Sequence, residues 1–116
     1  MKQFKTFLTI LADGLFVTAC GSNKRDISMN IQSDPLGAYT LMQVKYSGQE
    51  NSDWVYLGPT PVTMDRTLDL DKATEVSLKV IRPGFFEQVK SWKPKDFVAE
   101  NRERDGILWI PSMVQQ

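Results

Sequence analysis

Apolar and polar residues alternate with a period of two along most of this chain. Short Pro/Gly breaks separate the alternating runs, which restricts the chain to strands joined by turns. Ile27, Met29 and Ile31 share one parity against Ser28, Asn30 and Gln32. In the run 38–46, Met42, Val44 and Tyr46 oppose Gln43 and Lys45. Val62, Met64, Leu68 and Leu70 oppose Thr63, Asp65, Thr67, Asp69 and Asp71, and Val76, Leu78 and Val80 oppose Glu75, Ser77 and Lys79. Each run has the signature of a half-buried strand, and the first two are expected to pair as an antiparallel hairpin. Arg66 sits on the apolar parity of its run, where an inward charge marks a bulge or an edge strand.

The breaks have their own chemistry. Ser33-Asp34-Pro35-Leu36-Gly37 supplies a turn, Gly58-Pro59-Thr60-Pro61 a restricted corner, and Arg82-Pro83-Gly84 a third reversal. Residues 47–53 are polar throughout and read as a loop between the second strand and the run Trp54-Val55-Tyr56-Leu57. Residues 85–92 read as a further strand of uncertain parity. Pro94 then opens a short helix with Asp96 in its first turn, an i,i+4 pair of Glu100 and Arg104, and Gly106 as its stop. The run 107–110, apolar throughout, is expected as a last, well-buried strand.

Composition removes much of enzyme chemistry. The 116 residues contain no histidine and one cysteine, Cys20. The common general base near neutral pH is therefore missing, as are the His-paired nucleophiles and the His/Cys ligand sets of zinc, haem and iron–sulfur centres. Basic and acidic side chains number 14 each and are interleaved, so no basic face for nucleic acid is expected. No catalytic residue, cofactor or metal site is assigned. The acids Asp65, Asp69, Asp71 and Glu75 lack the glycine and the alternating ligands of a calcium loop, and they read as a solvated strand face.

The first 19 residues carry a short basic start, Lys2 and Lys5, then an apolar body over 7–17 that is too short to span a bilayer as a stable helix. Val17-Thr18-Ala19-Cys20 follows and resembles a bacterial lipobox. The resemblance implies cleavage before Cys20, lipid on its sulfur, and export with attachment to a membrane. Asp13 departs from the pattern, since a carboxylate opposes insertion of an apolar core. The alternative is an uncleaved segment in which Cys20 is an ordinary buried thiol. Residues 20–26 are read as the lipidated cysteine and a polar tether, and 27–116 as one domain. By the same resemblance Gly21, rather than aspartate, after the cysteine points to an outer membrane facing the periplasm in a Gram-negative cell.

The three turn motifs stand in the order Ser33-Asp34-Pro35-Leu36-Gly37-Ala38, Leu57-Gly58-Pro59-Thr60-Pro61 and Pro83-Gly84-Phe85. This series over residues 27–89 resembles the PEGA domain family, although Leu36 replaces the small or acidic residue usual before the glycine. The resemblance implies a mainly β fold, a small immunoglobulin- or transthyretin-like β-sandwich, here with one short C-terminal helix added. It also implies a non-catalytic envelope module, structural or protein-binding. Two alternatives stay open, an accessory lipoprotein of an envelope machine and a weak glycan or peptidoglycan binder. Beyond Cys20, the candidate contact residues are Trp54 and Tyr56, large aromatics flanking the polar loop.

Overall fold

The alternating runs fold as strands in the computed structural model, which describes residues 24–49 and 52–116. The leader, the lipobox with Cys20, and residues 21–23 lie outside the described residues. Within them are seven strands, β1 Lys24–Ile31, β2 Tyr39–Tyr46, β3 Val55–Pro59, β4 Val62–Asp69, β5 Ala73–Ile81, β6 Gln88–Trp92 and β7 Ile107–Trp109, with one helix, α1 Pro94–Arg104. They form two sheets, ordered β4-β1-β7 and β3-β2-β5-β6. All neighbours are antiparallel except β1 and β7, which run parallel.

The apolar parities meet between the sheets. Ile27, Met29 and Ile31 of β1, with Val62, Leu68 and Ile107, pack in one core with Met42, Val76, Leu78 and Val80. The expected mainly β sandwich with a short C-terminal helix is therefore the fold.

Four local expectations change. β1 and β2 do not pair: they lie in opposite sheets, and the segment between Ile31 and Tyr39 crosses from one to the other. The crossing is held by Thr60 from the second turn motif. Thr60 Oγ1 accepts the backbone N–H of Gly37 and of Ala38, each at 2.9 Å. Its own proton is then left for Ser33 Oγ, 2.6 Å away, and Ser33 in turn donates to Pro35 O at 2.8 Å. A hairpin between β1 and β2 would separate these motifs.

Second, β1 begins at Lys24, so residues 24–26 are strand rather than tether, because they find partners at Asp69, Leu68 and Thr67 of β4. Third, β7 is a three-residue edge strand. Only Ile107 is fully buried, while Leu108 and Ile110 face out, since successive side chains of an extended chain point to opposite faces and the outer face of this sheet is open. The strand before α1 is also shorter than expected: Phe85 and Phe86 precede β6 and bond the C-terminal segment, Phe86 N–H donating to Val114 O at 2.8 Å. Arg66 does lie on an edge strand, and its pairing with Ile27 is regular, which assigns it to the edge and not to a bulge.

Helix α1 has the expected limits. It starts on Pro94 and ends with Asp105 in the left-handed region, after which Gly106 bonds back to Asn101 O at 2.9 Å. Gly106 has φ 142°, and a Cβ there would stand 3.0 Å from Ser28 O, so only glycine lets the chain pass this close to β1. Asn101 then covers β1 where β7 does not reach. Its Oδ1 accepts Ser28 N–H at 3.1 Å and its Nδ2 donates to Asp26 O at 3.0 Å. The side-chain amide thus replaces a peptide group at the sheet edge, leaving fewer open ladder groups there.

At the end of the sandwich away from the Thr60 crossing, Tyr46 O–H donates to Asp69 O at 2.8 Å and ties the last residue of β2 to β4. Burial, with Asp69 as a second cause, raises the Tyr46 pKa above 10.0. A raised folded-state value means stabilisation that is complete below the unfolded pKa and is lost as pH rises through the folded one. The stability difference between wild type and Tyr46→Phe, measured by urea unfolding, is therefore expected to favour wild type at about pH 8 and to shrink towards about pH 11.

Candidate functional site

With the inner parities committed to the core, the outer face of the four-stranded sheet carries what is left. The register aligns Tyr56 of β3, Leu41 of β2, Lys79 of β5 and Val89 of β6 in one cross-strand row. The next row brings Tyr39 opposite Ile81. A register shift after Thr40 makes this possible: Thr40 pairs with Gly58 and Leu41 with Tyr56, so Leu57 is an extra residue on β3. Leu57 packs against the core and Tyr56 is aimed outward, the re-aiming that a bulge provides. Gly58 permits it with φ 135°.

The face has a defined geometry. Tyr39 and Tyr56 meet with ring centroids 6.1 Å apart and planes tilted by 57°. The Lys79 ammonium lies 4.1 Å from the centroid of the Trp54 ring, a cation–π contact that covers one face of the indole. The loop before β3 is fixed to the same surface, Gln43 Nε2 donating to Ser52 O at 2.8 Å. Tyr39 is 49% exposed, Tyr56 54% and Val89 49%, values at which ordinary sheet residues of this size are open to a partner.

Trp54 and Tyr56 therefore share one surface as the sequence suggests, with different parts in it. Tyr56 is open, whereas Trp54 is half-buried under Lys79. Tyr39, Lys79 and Val89 complete the patch and were not singled out from the sequence. Parity alone places Tyr39 with Gln43 and Lys45 on the outer side of β2, but only the strand register shows that Leu41, Lys79 and Val89 are neighbours.

The outer face of the other sheet is polar and internally satisfied. Ser28 Oγ donates to Asp65 Oδ1 at 2.6 Å, and Thr67 Oγ1 to Asp26 Oδ1 at 2.7 Å. The acids considered for calcium are dispersed: Asp69 accepts the N–H of Asp71 at 3.0 Å, and Glu75 pairs with Lys45 at 3.2 Å on the opposite sheet. Among the described residues no three acidic, His or Cys side chains are grouped to hold a metal ion, and no helix is long and apolar enough to cross a membrane.

Fold and surface together define a small β-sandwich with one open aromatic sheet face. Comparison with protein-family models, curated proteins and solved structures yields no match.

Proposed function

We propose that this chain is a membrane-anchored, non-catalytic module of the bacterial cell envelope, tethered through lipid on Cys20, that binds a protein partner by the outer face of the β3-β2-β5-β6 sheet. The observation that carries the binding role is the row of Tyr56, Leu41, Lys79 and Val89 with Tyr39 beside it, half-exposed aromatic and aliphatic groups around one cation. Tyrosine-rich patches of this kind are enriched in the centres of protein interfaces. A glycan site favours an open aromatic plane on which a sugar ring can lie, and here the indole of Trp54 has one face occupied by Lys79 while the two tyrosines are tilted. That geometry favours a protein over peptidoglycan. The anchor rests on the lipobox, and the PEGA-like order of turns, two of which join through Thr60, supports an envelope module.

Two measurements test the proposal. Intact-mass spectrometry of the membrane fraction is expected to find a chain starting at Cys20 with added acyl mass, and to lose it in Cys20→Ala. A photo-crosslinking residue at Tyr56 or Val89 is expected to trap one dominant protein in cells, and one at Thr67, on the polar sheet, none. The double variant Tyr39→Ala/Tyr56→Ala is expected to weaken that complex at least about tenfold, a modest loss for two hot-spot tyrosines. It should change folding stability by only about 1 kcal/mol, since both rings are half exposed. Crosslinks only to wall glycan, or equal adducts at Thr67, would overturn the protein-binding role.

A further inference from the structure

A second surface lies where β1 begins. Arg25, Leu70, Pro94, Lys95, Val98 and Arg102 line a cleft of about 370 Å³. Lys95, Val98 and Arg102 follow at i, i+3 and i+7 along α1 and so share one helix face, which meets Arg25 at the start of β1 and Leu70 after β4. Three cations thus converge on one cleft whose other walls are apolar. No carboxylate lines it, although α1 also carries Asp96, Glu100 and Glu103. Glu100 is turned to the core side, where it accepts Trp92 Nε1–H at 3.1 Å. Among the described residues neither Lys95 nor Arg102 has a hydrogen-bond or ion-pair partner, whereas Arg25 is already engaged, with the Lys24 carbonyl at 3.2 Å among its contacts.

We infer that this cleft binds the phosphate of an anionic phospholipid headgroup and seats the domain on the bilayer. The inference rests on the lipid-anchor reading, because β1 starts at Lys24. Four residue steps separate it from Cys20, a reach of at most about 14 Å. An acylated Cys20 holds this end of the sandwich within a headgroup's depth of the membrane, whatever the path of the intervening residues. The cations meet the phosphate, and Leu70, Pro94 and Val98 meet the glycerol and upper acyl region, the arrangement long basic side chains adopt at an interface. A free inorganic phosphate uses the cations alone and leaves the apolar walls without a role.

The test uses the full chain in neutral dodecyl maltoside micelles, titrated with dioctanoyl phosphatidylglycerol, dioctanoyl phosphatidylcholine or inorganic phosphate and followed by calorimetry and by Arg Nε NMR shifts. Saturable binding of phosphatidylglycerol is expected, at least about tenfold tighter than the other two and weakening with added salt. Lys95→Gln and Arg102→Gln are each expected to lower that affinity about fivefold, in line with the usual share of one basic residue at an anionic surface. Both side chains are exposed, so neither variant should shift the melting temperature. Equal binding of inorganic phosphate, equal binding of phosphatidylcholine, or unchanged affinity in both variants overturns the inference. Cys20→Ala separates it from the anchor reading: the cleft should bind phosphatidylglycerol undiminished in that variant, so a failure of lipidation and a failure of the cleft give different results.

Discussion

Phe97→Ala is expected to destabilise the sandwich by about 3–5 kcal/mol, the range for truncating a fully buried phenylalanine. Phe97 is 0% exposed and is the single buried residue of α1. Its ring meets Trp92 edge-on, with centroids 5.2 Å apart and planes at 71°, and the helix that carries it touches β1, β5 and β7. An 11-residue helix is too short to persist alone in water, so its docking depends on this one ring together with the Trp92–Glu100 and Asn101 hydrogen bonds. Losing the ring opens a cavity beside Trp92 and loosens Asn101 from β1, which re-exposes the Asp26 carbonyl and the Ser28 amide. In urea unfolding the midpoint should fall with little change in slope, and the near-ultraviolet dichroism from Trp92 should weaken before global unfolding. Phe97→Leu, which keeps most of the volume, is expected to cost no more than about 1.5 kcal/mol. A loss below about 1 kcal/mol for Phe97→Ala would mean that the helix is held by its polar contacts alone.

The helix was legible because its signals are local. Pro94 fixes the first turn, Gly106 is needed where the chain passes Ser28, and a single apolar pair, Phe97 and Val98, lies between them. The inward parities of β1, β4 and β5 were legible for the same reason, since alternation is a property of one strand. Pairing is a property of two, and here the local pattern misleads. β1 and β2 look like a hairpin because only a Pro/Gly turn separates them, yet each pairs along its full length elsewhere, with β4 and β5, in different sheets. Strand ends failed similarly: Lys24 and Arg25 have no apolar alternation of their own and become strand through the ladder with β4. At the candidate site, Trp54 and Tyr56 were recognisable as large aromatics two residues apart. That Tyr56 is open and Trp54 is capped depends on the bulge at Leu57 and on the β2–β5 register, which set Leu41 beside Lys79.

Thr60→Val is expected to cost about 2–4 kcal/mol although it preserves shape, because it deletes the one oxygen on which the inter-sheet crossing converges. Thr60 is 5% exposed and Ala38 fully buried. Without Oγ1 the Ala38 N–H loses its acceptor, and the Gly37 N–H keeps only the longer bond to the Thr60 carbonyl at 3.2 Å. Ser33, also buried at 4%, loses the proton its Oγ accepts from Thr60 and keeps its own bond to Pro35 O. A buried polar group stripped of its partner costs about 1–3 kcal/mol, which the Ala38 N–H meets in full, and the partial losses at Gly37 and Ser33 add about 1 kcal/mol between them. Thr60→Ser keeps the oxygen and removes one methyl, so a loss of about 1 kcal/mol is expected for it. The contrast between valine and serine isolates the hydroxyl. Ser33→Ala removes one link of the chain and leaves both backbone amides bonded, so its cost should fall below that of valine at 60. Amide hydrogen exchange gives a local readout: protection at Ala38 should drop in Thr60→Val under native conditions by more than protection at Leu78 in the centre of β5. Equal loss at both amides would mean that the crossing opens only with the whole fold, and an unchanged Ala38 would mean that Oγ1 does not hold it.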